Sequence, residues 1–278
     1  MTGLATREEL DAMIRVARRA EALVMEIYAT DFVVELKGKD DPVTLADKEA
    51  NSLICDTLAQ AFPEHGVIGE ESGFGPEALA MLSSRERVFY VDPVDGTRDF
   101  AERTGEFCVM IGLSIGGRAA AGVIAVPVEK KIFHGAVGGG AFLETADGTT
   151  RALTLTSLVD PRESRAVVSR SHMSESTRAI VDALAPRATI PTGSVGVKAA
   201  RVLEGAADLY VHASHGAKKW DACAPDGLVR AAGGLLCDLD GRDIDYANPE
   251  LAIENGLVAA SRTLLPRVLE TIRATLKR

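Results

Sequence analysis

Acidic side chains occur in three short segments of the chain, each beside an apolar stretch. They are Glu70, the pair Asp92 and Asp95, and Asp221, which opens an apolar helix after Trp220. Ligands commonly bind at strand ends of mixed sheets, and acids gathered there repel one another unless cations lie between them. Carboxylate oxygens with no His or Cys nearby favour Mg²⁺ or Mn²⁺ over zinc. The three segments together therefore predict a metal site, although each acid alone fits a solvated loop or a helix cap.

The segment from residue 92 to 97 has the most specific pattern, and its sequence is Asp-Pro-Val-Asp-Gly-Thr. Pro93 stiffens the backbone, so we expect the two carboxylates and the Val94 carbonyl to face one pair of ions. The next residues should start a helix whose free N–H groups suit a phosphate. An isolated Asp-Gly turn is ordinary in proteins, so the prediction depends on the other two acidic segments.

Composition limits the class of protein and its partners. The chain has 278 residues, of which 46% are hydrophobic and 26% charged, and this excludes a disordered or fibrous protein. The formal net charge of −9 disfavours binding to a nucleic acid polymer. It leaves room for a small phosphorylated substrate, provided that local cations neutralise the phosphate.

The sequence shows no signal-peptide pattern and no paired cysteine spacing, and these two features favour a cytoplasmic location. The first residues lack the pattern of a signal peptide, and the apolar run 119–128 is too short to span a membrane. The four cysteines show no CxxC spacing, so we expect reduced, buried thiols. The oligomeric state is left open, with a homodimer as one option.

Apolar periodicity predicts a mixture of helices and strands. Helices are expected at about residues 6–27, 46–61, 174–184, 195–204, 221–232 and 264–276. Strands are expected at about residues 67–68, 88–91, 108–115, 119–126, 131–137, 166–169 and 208–211, with one more after residue 232. The polar stretch 37–42 reads as a loop or the start of a hairpin. Irregular alternation favours layers of sheets and helices over a regular barrel.

The acidic segments resemble motifs of the inositol monophosphatase superfamily, whose members are metal-dependent, lithium-sensitive phosphatases. The matching pieces follow the family's order from about residue 10 to residue 260. They are Leu45-Ala46-Asp47, Gly69-Glu70-Glu71-Ser72, Asp92-Pro93-Val94-Asp95-Gly96-Thr97, and Trp220-Asp221 with residues 231–234 downstream.

Within this superfamily the chain looks most like the 3'(2'),5'-bisphosphate nucleotidases. The segment 216–226 is similar to their GxKKWDxCAPE motif, and 168–172 is similar to a nucleotide-contacting SRSH segment. The stretches 98–100 and 105–107 also look like this subgroup. Two positions depart from the pattern, because Asp226 stands where Glu is usual and Ser194 stands where some relatives have Gly.

The resemblance implies an α/β fold in an α-β-α-β-α layered sandwich. An N-terminal α+β half, residues 1–150, would bind the metal, and a C-terminal α/β half, residues 151–278, would complete the site. The implied enzyme is a hydrolase of sulfur metabolism. It would remove the 3'-phosphate of adenosine 3',5'-bisphosphate to give AMP, with the sulfated nucleotide PAPS as a second candidate substrate.

The resemblance also implies a role for individual residues. Two or three Mg²⁺ ions, or Mn²⁺, would be held by Glu70, Asp92, the Val94 carbonyl, Asp95 and Asp221. The attacking water would be activated by Asp47 with Thr97. The substrate would be bound by Gly96, Thr97, Ser169, His172, Ser194 and Lys198.

Three alternatives share the same observations. An inositol monophosphatase or a fructose-1,6-bisphosphatase would use the same metal chemistry on a different substrate. A regulatory protein could keep the fold without turnover, but the intact set of acids argues against it. Three residues also have a purely structural interpretation. His172 would lie in a solvated loop, Lys198 on a solvated helix face, and Thr97 at a helix cap.

Overall fold

The computed structural model describes residues 3–38, 41–171 and 173–277. The helices in these ranges are α1 (Arg7–Tyr28), α2 (Leu45–Ala61), α3 (Pro76–Ser83), α4 (Thr97–Ala101), α5 (Glu175–Leu184), α6 (Val195–Leu203), α7 (Lys219–Ala231) and α8 (Leu265–Leu276). The strands up to residue 153 are β1 (Val34–Gly38), β2 (Asp41–Thr44), β3 (Gly66–Gly69), β4 (Arg87–Asp95), β5 (Cys108–Ile115), β6 (Arg118–Val126), β7 (Lys131–Ala136), β8 (Gly140–Thr145) and β9 (Thr150–Leu153). The later strands are β10 (Arg165–Ser169), β11 (Ala188–Thr192), β12 (Leu209–His212), β13 (Gly234–Cys237) and β14 (Leu257–Ser261).

Two large sheets organise the described chain. The seven-stranded sheet runs in sequence order from β3 to β9, and its strands are antiparallel except for the parallel pair β3 and β4. The five-stranded sheet has the order β11-β10-β12-β14-β13. In it β10 is parallel to both neighbours, and β14 is antiparallel to both of its own. The small hairpin β1–β2 lies outside both sheets.

The helices pack against these sheets in layers. One face of the seven-stranded sheet is covered by α1 and α2, through a core that includes Met13 and Ile54. Its other face meets α6 and α7, which share a core with the five-stranded sheet. The outer face of that sheet is covered by α5 and α8, with Ile180 and Val268 in the core. The predicted α-β-α-β-α sandwich is confirmed, while the division into halves near residue 150 stays a prediction.

The predicted helices and the 108–137 meander are confirmed, and some elements were missed. The missed elements are α3, β8, β9, β11 and β14. Strand β11 is a largely exposed edge strand that contains Pro191, and proline is tolerated only at such edges. Strand β14 is a five-residue, fully buried run, and such a short apolar run cannot be told from a helix by its periodicity.

The backbone corrects one local prediction and agrees with another. The strand expected at about residues 88–91 does not end before Pro93, because β4 continues to Asp95 with a bulge between Asp92 and Asp95. The polar stretch 37–42 falls on the β1–β2 hairpin, and its residues 39 and 40 lie outside the described ranges. No helix in the described part of the chain is long and apolar enough to cross a membrane.

Glycines let α7 approach the seven-stranded sheet closely. A Cβ on Gly122 would lie 2.2 Å from the Ala224 carbonyl oxygen, and one on Gly112 would lie 2.5 Å from the Ala224 nitrogen. Any larger residue at these positions would push the helix off β5 and β6. The close packing fixes the N-terminus of α7, and with it Asp221, beside the end of β4.

Candidate active site

Three carboxylates converge where β4 ends and α7 begins. The bulge in β4 brings Asp92 and Asp95 to the same place, and Asp221 comes from the first turn of α7. One ligand atom from each of the three lies within 4.8 Å of the others. Asp92 is only 1% exposed and Asp95 only 8%. The structure therefore brings Asp221 together with the 92–95 segment, while the role of these acids as metal ligands stays a prediction.

The electrostatics of the cluster favour a bound cation. Burial raises the pKa of Asp92, and the charges of Glu70, Asp95 and Asp221 raise it further. Burial, Asp95 and Glu70 raise the pKa of Asp221 to about 8. Asp92 Oδ1 is buried and has no hydrogen-bond partner among the described residues. A buried orphan oxygen among clustered carboxylates fits a hard divalent cation.

Glu70 and Val94 complete the predicted ligand set from two sides. Glu70 begins a short 3₁₀ helix after β3, and its charge acts on both Asp92 and Asp221. Val94 is buried within the bulge of β4, and its carbonyl oxygen lies 3.1 Å from Thr97 Oγ1. Their assignment as metal ligands stays a prediction.

Asp47 and Thr97 are in direct contact, as their predicted partnership requires. Thr97 Oγ1 donates to Asp47 Oδ1 at 2.9 Å. The other oxygen, Asp47 Oδ2, accepts from the Thr44 backbone N–H at 2.7 Å and from the Thr44 hydroxyl at 2.6 Å. Thr44 and Asp47 form the capping box of α2, so the carboxylate is fixed by the helix start. This arrangement can orient the Thr97 hydroxyl and accept its proton.

Asp95 is tied to the N-terminus of α6. Its Oδ2 accepts hydrogen bonds from Ser194 Oγ at 2.5 Å and from the Gly196 backbone N–H at 2.5 Å. Cys108 Sγ lies 3.7 Å from the same oxygen. Burial still raises the pKa of Asp95 despite these donors. Ser194 was predicted to contact the substrate, whereas its hydroxyl is directed to a predicted metal ligand.

A cavity of about 680 Å³ opens beside the acid cluster. It is lined by predicted site residues, namely Asp95, Gly96, Thr97, Ser169, Ser194, Lys198 and Asp221. Gly96 has a left-handed backbone with φ of 94°, and a Cβ there would lie 2.9 Å from the Glu106 carbonyl oxygen. Only glycine therefore fits this position between β4 and α4.

Lys198 gives the cavity a buried positive charge. The side chain is 4% exposed, and its Nζ lies 5.7 Å from the centre of the Tyr210 ring. Burial lowers the pKa of Lys198, against the opposing effect of Asp95, Asp99 and Asp221. Its ammonium donates no hydrogen bond within the described ranges. The solvated helix face considered for this lysine is thus excluded.

Two other positive charges make contacts within the fold itself. Arg170, in the segment that resembles SRSH, pairs with Asp99 at 3.0 Å and with Glu106. Lys219, in the segment that resembles GxKKWDxCAPE, is buried and donates to the Asn248 carbonyl oxygen. The prediction for His172 lies outside the described residues.

Several residues of the site were missed by sequence reasoning. Tyr210 lines the cavity with a buried hydroxyl that has no hydrogen-bond partner in the described part of the chain. Further lining residues come from separate segments and include Arg98, Met173, His212 and His215. Thr44 was also missed, although its spacing from Asp47 is that of a capping box and could have revealed it.

A phosphate ester brings dense negative charge, and a cluster of carboxylates can receive it only with cations between them. Fold and site together therefore define a metal-dependent phosphatase. A family model described as the inositol monophosphatase family matches residues 6–277, and the chain belongs to this family.

Similar proteins of known name agree with this class. The chain is 32% identical over 249 residues to the 3'(2'),5'-bisphosphate nucleotidase CysQ of Salmonella typhimurium, which is 89% of this chain and 97% of that protein. It is 30% identical over 268 residues to 3'(2'),5'-bisphosphate nucleotidase 1 of Homo sapiens, with 83% of each covered.

Solved structures share the fold. CysQ from Bacteroides thetaiotaomicron superposes with a TM-score of 0.77 at 25% identity, covering 94% of this chain and 99% of that one. An inositol monophosphatase of Thermotoga maritima gives a TM-score of 0.80 at 22% identity, covering 97% and 98%.

Proposed function

We propose that this enzyme removes the 3'-phosphate of adenosine 3',5'-bisphosphate with the help of Mg²⁺, giving AMP and phosphate. The observation that carries the proposal is the buried Lys198, whose ammonium faces the cavity without a hydrogen bond from the described chain. A second phosphate on the substrate would supply the missing partner, because charge-assisted hydrogen bonds are the strongest available there. The names of the similar nucleotidases support the same substrate, and PAPS is a further candidate.

The predicted metal ligands are Glu70, Asp92, the Val94 carbonyl, Asp95 and Asp221. When bound, Mg²⁺ would neutralise the phosphate charge and lower the pKa of a bound water. Residues of the chain would orient the water and hold the substrate. Asp47 accepts the hydrogen bond of Thr97, which fixes the hydroxyl that orients a water, and the Thr44 donors keep Asp47 in place. Lys198 would hold the part of the substrate that does not react.

A substrate panel tests this proposal. Phosphate release would be measured with Mg²⁺ from adenosine 3',5'-bisphosphate, PAPS, inositol 1-phosphate and fructose 1,6-bisphosphate at matched concentrations. We expect the highest kcat/KM with the adenosine bisphosphate. A preference for inositol 1-phosphate would contradict the nucleotidase proposal and leave the metal-dependent phosphatase intact.

One observation favours an inositol phosphate as a second candidate substrate. The cavity wall beyond Lys198 carries the hydroxyl side chains of Ser171 and Ser214, which suit the hydroxyl groups of a polyol. The same panel separates the two candidates. Inhibition by Li⁺, a cytoplasmic location and a homodimer remain predictions for the enzyme.

A further inference from the structure

We infer that Ser194 is a positioning residue for the metal ligand Asp95, in addition to its place on the cavity wall. This inference rests on the proposed metal-dependent function. It concerns how one carboxylate of the cluster is aimed, and it assigns Ser194 a role that differs from the substrate contact predicted from the sequence.

The two carboxylate oxygens of Asp95 differ in their hydrogen bonds. Those that the described chain makes to this carboxylate go to Oδ2, from Ser194 Oγ and the Gly196 N–H at 2.5 Å each and from Cys108 Sγ at 3.7 Å. Oδ1 is thereby left for a cation shared with Asp92 and Asp221, the carboxylates that lie within 4.8 Å. Groups that bind the second oxygen of a ligating carboxylate fix its orientation and tune its affinity for the metal.

The backbone of Ser194 is held in an unfavourable conformation. Its φ of 54° and ψ of 140° lie in a region that suits glycine and strains any residue with a Cβ. Strained residues persist where surrounding contacts hold them, and they concentrate at functional sites. Here the contacts are known, since Ser194 Oγ also accepts from the Val197 N–H at 3.0 Å.

Helix capping alone does not explain this conformation. Ser174 caps α5 in the same way, with its Oγ accepting from the Thr177 N–H at 3.1 Å. Its backbone is ordinary, with φ of −65° and ψ of 160°. The hydrogen bonds of Ser174 Oγ involve Thr177 and the Ala213 carbonyl oxygen, whereas Ser194 Oγ also donates to the Asp95 carboxylate. The strain at Ser194 therefore accompanies the bond to Asp95.

The test separates aiming of the ligand from simple stability. Ser194→Gly removes the hydroxyl and the strain together, whereas Ser194→Ala removes the hydroxyl and keeps the strain. Binding of Mg²⁺ would be measured by calorimetry, binding of Mn²⁺ by electron paramagnetic resonance, and the Tm by thermal unfolding without metal. We expect both variants to bind either metal about 10- to 100-fold more weakly than the wild type.

The Tm should separate the two variants. Ser194→Gly should keep or raise the Tm of the metal-free protein, and Ser194→Ala should lower it. Ser194→Thr, which retains a hydroxyl, should bind metal better than either variant. The control Ser174→Ala should lower the Tm and leave metal affinity unchanged.

Three outcomes would overturn the inference. Wild-type affinity in Ser194→Gly would show that the hydroxyl does not aim Asp95. A rise in nucleotide KM with unchanged metal affinity would assign Ser194 to the substrate instead. If the wild type binds neither Mg²⁺ nor Mn²⁺, the proposed metal function fails as well, and that result is distinct from the other two.

Discussion

The two ends of the cavity carry buried ionisable groups of opposite sign, the acid cluster at one end and Lys198 at the other. At the metal end, burial and mutual repulsion raise the pKa values of Asp92 and Asp221. At the distal end, burial lowers the pKa of Lys198. In both places burial disfavours the charged form of an ionisable group, and groups with such shifted pKa values concentrate at functional sites. The contrast supports the proposal that one end of the cavity receives cations and the other an anion.

Helix α6 connects the two ends. Its N-terminus is bound to Asp95 through Ser194, and Lys198 lies one turn further along. Its C-terminal turn is anchored by Arg201, which pairs with Glu129. A displacement of α6 would therefore disturb the aim of a metal ligand and the position of the distal cation together.

The largest effect is expected at the metal end. Asp92→Asn should reduce kcat by about 10³-fold or more and weaken Mg²⁺ binding, because it removes the most buried carboxylate of the cluster. The Tm of the metal-free variant should equal or exceed that of the wild type, since one of several like charges is gone. Steady-state kinetics, calorimetry and thermal unfolding would measure the three effects.

A second buried acid provides the control for this experiment. Asp226 lies on the same helix as Asp221, but it pairs with Arg230 at 2.6 Å, away from the cluster. Asp226→Asn should lower the Tm and leave Mg²⁺ affinity unchanged. Equal loss of metal binding in both variants would mean that the carboxylate cluster does not define the metal site.

A smaller loss is expected from the residue pair that orients the water. Thr97→Val keeps the shape of the side chain and removes the hydroxyl that donates to Asp47. We expect kcat to fall by about 10²- to 10⁴-fold, the range for general acid–base groups, with little change in Mg²⁺ affinity. Thr97→Ser should retain much of the activity. A valine variant with normal kcat would reduce Thr97 to a helix cap.

The metal end could be predicted from the sequence because each of its acids lies in a short, recognisable motif. Asp92 and Asp95 lie in one short motif, and Asp221 follows Trp220 at the start of a helix. Acids gathered in one site repel one another unless a cation lies between them, and carboxylate oxygens are suitable ligands for such a cation. These two arguments together predicted a metal site. Periodicity also placed most helices, because amphipathic faces such as that of α1 survive in any tertiary context.

The distal end could not be derived in the same way. Its lining comes from the ends of β10 and β12 and from the start of α6, and only pairing within the five-stranded sheet brings them together. The Lys198 ammonium lies 5.7 Å from the ring centre of Tyr210, a residue on a different element, and no residue pattern in the sequence signals this contact. The strain at Ser194 and the bulge in β4 are backbone features without a pattern of residue types.

The distal charge makes a separable contribution to substrate binding. Lys198→Met should raise KM for adenosine 3',5'-bisphosphate about 10- to 100-fold with a smaller change in kcat, because the lost contact is to a group that does not react. Lys219→Met is the matched control, since that buried lysine donates to the Asn248 carbonyl oxygen outside the cavity. Similar KM values for wild type and Lys198→Met would remove the main support for a second phosphate.

The smallest effect is expected at the far anchor of α6, where function and stability should separate. Hydrogen bonds from Arg201 lower the pKa of Glu129 to about 2 from an ordinary value of 4.5. A carboxyl with a depressed pKa stabilises the fold above pH 4.5, and the stabilisation is lost as the pH falls toward 2. Because Glu129 is partly exposed and solvent screens its ion pair, Glu129→Gln should lower the free energy of unfolding at pH 7 by only about 1 kcal/mol. The difference from the wild type should shrink below pH 4.5 in urea titrations, while Mg²⁺ affinity at pH 7 stays unchanged. A variant that loses metal affinity in proportion to stability would show that the position of α6 at Asp95 depends on this distant anchor.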